Sequence, residues 1–140
     1  VLPDGVADIA ICSHVLEHLP RPEFTMSEIN RIMKPGGLLL VGVPVAPRLF
    51  AKIRERQFEK QLAAGTRTKW QHVRVYWRKR LEQLARDTGF KVEFSSGTAI
   101  VRKKGSRLED HAGWIRINQI AAALFPAMGQ EICMQLRKSE

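Results

Sequence analysis

ADIAICSHVLEHLPRPEFTMSEINRIMKPGGLLLVGVP, residues 7–44, holds a strand, a helix and a second strand in the order that decides the fold. Ala7 to Ser13 is a short apolar run with β-branched residues, whereas Phe24, Met26, Ile29, Ile32 and Met33 recur near helical period between Pro22 and Lys34. Pro22 suits the first turn of that helix, where a backbone N–H lacks a partner in any case. Pro35, Gly36 and Gly37 are expected to stop it. Leu38 to Val43 (LLLVGV) is apolar on both faces, as is the Asp8 to Ser13 run, which predicts parallel strands with helices above and below. The two strands should be neighbours joined by a right-handed crossover.

Working outward, residues 48–64 form a second helical candidate ending at Gly65, and the polar stretch Thr66 to Gln71 leads into His72 to Tyr76. Arg78 to Thr88, with Leu81, Leu84 and Ala85 on one face and Gly89 beyond, predicts a helix running into a strand at Phe90 to Phe94. Trp114, Ile117, Ala121 and Leu124 recur at three and four residues, giving an amphipathic helix before Pro126, and Glu131 to Leu136 reads as a final strand. Strands alternating with helices predict an α/β layered fold with a mostly parallel sheet, whose ligands bind beyond the carboxyl ends of the strands. Pro35-Gly36-Gly37 precedes its strand and therefore makes a turn, away from that crevice. Cys12 to His18 emerges at the carboxyl end, where a site is expected.

The 140 residues, 44% hydrophobic and 26% charged, suit one soluble globular domain. The longest apolar stretch, Leu38 to Ala46, is under half of the ~20 residues a membrane-spanning helix requires. The acidic start, VLPDGVAD, lacks the basic region of a secretory signal, so a cytoplasmic protein is expected. Cys12 and Cys133 lie in apolar runs with no CxxC or CxxH spacing, and read as free thiols. The net charge of +9 is concentrated: residues 48–104 carry sixteen basic and five acidic side chains. A solvated face is the simplest reading of that block. A nucleic-acid-binding module built on Arg48 to Lys104, with Trp70, Tyr76 and Trp77 interleaved, is the alternative.

Residues 2–44, LPDGVADIAICSHVLEHLPRPEFTMSEINRIMKPGGLLLVGVP, resemble the second half of the catalytic domain of class I S-adenosylmethionine-dependent methyltransferases, in the broad group with an "LEH" turn and a "kPGG" loop. The likeness resumes at QHVRVYWRKRLEQLARDTGFKVEF, similar to that group's "HvR" strand entry, final helix and "GF" strand, and weakens after Gly97. Ala7 stands where the group usually has an aromatic, and the chain contains no Gly-x-Gly. The resemblance implies the carboxyl half of a Rossmann-like fold, a single partial domain over residues 1–140 with an antiparallel last strand inserted between the Leu38 and Phe90 strands. The glycine-rich turn that cradles the cofactor, and the acid that binds its ribose, would belong to a missing amino half. The first strand would then present a bare edge, through which self-association is expected.

The resemblance further implies S-adenosylmethionine as cofactor and methyl transfer to a small-molecule or macromolecular acceptor. Ser13 and His14, with Cys12 before them, would face the methionine part of the cofactor, and Leu2 and Pro3 its adenine edge. His72 and Arg74 match the "HvR" pair: His72 could take a proton from an oxygen or nitrogen nucleophile, and Arg74 could bind an acidic group. A non-catalytic remnant or partner subunit is the other reading. His14-Val15-Leu16-Glu17-His18 also fits the HxxEH pattern of inverted zincins, but Pro20 leaves room for only one turn and no third ligand is evident in the sequence. No metal is expected, and Glu17 and His18 are assigned to hydrogen bonds at the strand-to-helix corner.

Overall fold

The computed structural model describes residues 2–66, 71–101 and 105–139, with Glu109 in backbone only. Trp70 and Arg102 to Lys104, which entered the nucleic-acid reading, lie outside the described residues. Strand β1 (Ala7–Ser13) leads through a 3-10 turn at Leu16–His18 to helix α1 (Pro22–Ile32) and strand β2 (Met33–Pro44). Helices α2 (Arg48–Ala63) and α3 (Arg78–Asp87) follow, then strand β3 (Phe90–Gly97), helix α4 (Ala112–Leu124) and strand β4 (Glu131–Lys138).

The sheet order is β1-β2-β4-β3, with β1 parallel to β2 and β4 antiparallel to both its neighbours. Three strands thus run one way, and the last in sequence is threaded between β2 and β3 in the opposite sense, as expected. Leu39, Val41 and Val43 of β2 alternate with their neighbours toward one face, where they meet Ile132, Met134 and Leu136 of β4 and Phe90 of β3. Helix α1 closes this face with Met26, and α3 with Leu81 and Ala85, all fully buried.

The other face departs from expectation. Ile11, Leu40, Gln135 and Phe94 stand side by side across the four strands. Ile11 is 73% exposed and Phe94 61%, so only one side of the sheet is clothed. The crossover helices α1 and α3 pack on a single face, and α4 touches the sheet at its rim, where a Cβ on Gly97 would stand 2.6 Å from the carbonyl oxygen of Ala122. Helix α4 therefore does not bury its stripe: Ile117 and Leu124 are exposed and Ala122 makes the contact.

Two boundaries also move. Helix α1 ends at Ile32 rather than Lys34, because Pro35 disfavours helical backbone at the residue before it, and Met33 instead starts β2 fully buried. Pro35-Gly36-Gly37 forms a bulge inside β2, since Ala7 pairs with Met33 and Ile9 already with Leu38. Gly36 takes φ +71° there, which a side chain would resist. The "HvR" segment is not a strand either; Tyr76 makes one isolated bridge to Val45.

Candidate functional site

Ser13 ends β1 at its carboxyl end, beside Gly42 of β2, and the amide of His14 donates to Gly42 O at 2.9 Å. His14 then adopts φ +54°, turning the chain out of the sheet into the Leu16–His18 turn. Pro20 holds Leu19 in an extended conformation and limits that helix to a single turn. The turn buries Leu16 and Glu17 completely. Residues from 53 or more positions later wrap around it: the amides of Val73 and Arg74 donate to Glu17 O at 2.9 and 3.1 Å, and the Tyr76 hydroxyl donates to Leu16 O at 3.3 Å. The Arg74 guanidinium donates twice to Pro20 O.

This wrapping gathers three of the four histidines in the sequence around one carboxylate. Glu17 Oε1 lies 3.3 Å from His14 Nδ1 and 3.8 Å from His18 Nε2, yet neither carboxylate oxygen has a hydrogen-bond partner. An ionised carboxylate in such a place is costly unless a positive charge compensates it. The His72 ring stands edge-on to that of His18, with centroids 4.8 Å apart. One ligand atom each from Glu17, His18 and His72 can be chosen so that all lie within 4.8 Å of one another. His18 Nδ1 is 3.3 Å from Gln71 O, and Gln71 holds φ +58°. Burial pushes the His72 pKa down, against the raising effect of Glu17. On the far side, His14 Nε2 is 3.6 Å from Glu131 Oε1, and Glu131 also lines a cleft with Thr98, Trp114 and Asn118 between the end of β3 and α4.

Of the residues singled out in the sequence, the structure brings His14 and His72 to the Glu17 carboxylate, with Ser13 at the end of β1 beside Gly42. Cys12 points into the core, packed and 5% exposed, and burial raises its thiol pKa. Leu2 and Pro3 precede the amino end of β1, where Leu2 O accepts from Arg31. A seven-residue strand separates them from Ser13 and His14, about 20 Å at the usual rise. Arg74 lies near His72 in sequence, but its donors hold the Pro20 loop. Gln71 and Glu131 were missed; Gln71 opens the QHVRV stretch and Glu131 the last strand, but only the path of the chain places them here.

The family model described as a methyltransferase domain matches residues 2–94. No curated protein matches the chain. Among solved structures, a SAM-dependent methyltransferase of Thermotoga maritima aligns over 99% of this chain and 58% of its own, at 20% identity and a TM-score of 0.64. A SAM-dependent methyltransferase of Methanosarcina mazei aligns over 99% of this chain and 62% of its own, at 14% identity and a TM-score of 0.59. A methyltransferase of Haloferax volcanii, solved in complex with the Trm112 methyltransferase activator, aligns over 99% and 57%, at 16% identity and a TM-score of 0.58. The likeness shows a shared fold, and these 140 residues span somewhat more than half of each relative. Among the described residues no helix is long and apolar enough to cross a membrane.

Proposed function

The chain belongs to the methyltransferase-domain family, and from that premise we propose that it forms the carboxyl half of a site for S-adenosylmethionine-dependent methyl transfer. The observation that carries this reading is the carboxyl end of β1, where Ser13 and His14 leave the sheet next to Gly42 on the unclothed face. A Cβ at Gly42 would approach Ser13 Oγ to 3.1 Å, so glycine keeps this corner open for a ligand. Bound S-adenosylmethionine would supply an electrophilic methyl group, transferred by in-line displacement, which demands alignment more than acid or base. The residues of this chain furnish one wall of such a site: Ser13 and His14 toward the methionine part, and the cleft of Thr98, Trp114 and Asn118, joined to His14 through Glu131, for the acceptor. Burial lowers the pKa of His72, which favours the neutral ring able to accept a proton from the acceptor.

The remaining wall is proposed to come from a segment that carries a Gly-x-Gly turn and a ribose-binding acid, and that pairs with the free edge of β1. Calorimetry tests this directly. The 140-residue chain alone should bind S-adenosylmethionine very weakly, and joining such a segment should restore binding; micromolar affinity of the chain alone would overturn it. In the completed protein, His14→Ala should weaken cofactor affinity and leave the melting temperature unchanged. An unchanged affinity with a lowered melting temperature would remove His14 from the site.

A further inference from the structure

We propose that Glu17, His18 and His72 form a binding site for a divalent metal ion of the zinc type. The three side chains come from the single turn after β1 and from a segment more than fifty residues later, and one ligand atom from each lies within 4.8 Å of the other two, with Glu17 buried between an exposed His18 and a half-buried His72.

The ligand set is the first argument. Imidazole nitrogen and carboxylate oxygen are the donors that zinc takes at about 2.0–2.2 Å, which puts neighbouring donors of a tetrahedral site roughly 3.5 Å apart. The three donors here already lie within 4.8 Å of one another. A magnesium ion would prefer an all-oxygen shell, which this cluster does not offer.

Glu17 supplies the second and independent argument. Its side chain is only 2% exposed, and both carboxylate oxygens lack a hydrogen-bond donor. His18 Nδ1 lies 3.3 Å from the Gln71 carbonyl, which can only accept, so Nδ1 carries the proton. In the neutral ring Nε2 is then a lone pair, and it faces Glu17 Oε1 at 3.8 Å. A buried carboxylate oxygen facing the lone pair of a solvent-accessible imidazole leaves a gap that a cation entering from solvent fills. The Gln71 carbonyl is the kind of outer partner that fixes the tautomer and direction of a ligating histidine.

Three protein ligands leave the fourth position of a tetrahedral site to water or to an oxygen of a bound molecule. His14, half exposed and 3.3 Å from the same carboxylate oxygen, stands at the rim and is not one of the three. The inference does not rest on methyl transfer, since it concerns binding of the metal alone, and in the metal-bound chain His72 would no longer serve as a proton acceptor.

The test takes the 140-residue chain stripped with a chelator and titrates Zn²⁺ by calorimetry and Co²⁺ by visible absorption, without S-adenosylmethionine. One Zn²⁺ per chain is expected, with a melting temperature that rises until one equivalent is bound. Co²⁺ should give the intense visible bands of four-coordinate geometry. Glu17→Gln and His72→Gln should each weaken binding by about 10-fold or more, whereas His111→Gln, outside the cluster, should leave it unchanged. Nitrogen-detected NMR of the unmutated chain gives a readout that no variant can spoil by unfolding: Zn²⁺ should shift the ring nitrogens of His18 and His72 and spare those of His111. Absence of stoichiometric binding, or binding that survives both Glu17→Gln and His72→Gln, would overturn the proposal, the latter by showing adventitious metal at surface histidines.

Discussion

Single side chains around the Leu16–His18 turn show how much of the site is built by contacts no motif announces. The HxxEH spacing draws attention to His14, Glu17 and His18, but His72 reaches them only because the backbone of Val73 and Arg74 docks on Glu17 O. Spacing records what lies on one element, and this contact joins two. Tyr76 is the anchor of that docking: it is 1% exposed, its hydroxyl donates to Leu16 O, and burial pushes its pKa up. Tyr76→Phe should therefore cost about 1 kcal/mol, because it removes the hydroxyl donor and leaves the Leu16 carbonyl only the Leu19 amide at 3.3 Å, and urea unfolding measures the loss. The two cysteines offer a check on the core. Cys12 is buried with a raised thiol pKa, and Cys133 lies exposed on the open face with a smaller burial of its own raising its pKa. A raised pKa leaves less thiolate at neutral pH, so both should react slowly with iodoacetamide in the native protein. Cys133 should still react first, and Cys12 only when the chain is unfolded; equal native rates by mass spectrometry would contradict the packing described.

At the scale of elements, the sequence was legible wherever periodicity and punctuation agreed. The Pro22 start of α1 and the Gly89 stop after α3 at φ +81° follow that plan, and β4 takes the antiparallel place that the family resemblance, not the pattern, implies. Legibility failed where an element's apolar side is not its buried side. Helix α4 shows the helical period of Trp114, Ile117, Ala121 and Leu124, yet it meets the sheet through Ala122, because the close approach is set by Gly97 of β3. Apolar spacing identifies a helix but does not say which neighbour is small enough to receive it. Pro35-Gly36-Gly37 is a second instance: breakers that read as a stop signal are absorbed as a bulge within β2. Gly97→Ala tests the α4 contact, since the added methyl would stand 2.6 Å from a backbone carbonyl that cannot rotate away. The expected cost is about 1–3 kcal/mol, read from thermal unfolding, with Gly113→Ala as the control because nothing lies within 4 Å of its Cβ position.

Across the whole molecule, the sheet is finished on one face and open on the other. Ile9 and Ile11 of β1 are 62% and 73% exposed, and β1 has a hydrogen-bonded neighbour on one side only among the described residues. Leu40 of β2 extends this apolar surface inward, and Phe94 adds to it from the far edge strand, across Gln135. Folded monomers seldom leave a contiguous patch of this kind uncovered, and a free strand edge offers backbone donors and acceptors that another chain can take. Both features lie on the same strand, so any second chain that pairs with β1 can also lay apolar side chains over Ile9 and Ile11. The 140-residue chain alone should therefore associate in a concentration-dependent way, which sedimentation velocity detects as a rising weight-average mass. Ile11→Lys places a charge on the open face where the side chain already meets water, so it should shift the chain toward monomer with little change in melting temperature. Two results would count against this account: a monomer at every concentration before the substitution, or association that Ile11→Lys leaves untouched. The same substitution separates the edge from the metal cluster, because Ile11 is not among the gathered side chains and Zn²⁺ binding should persist in the monomer it produces.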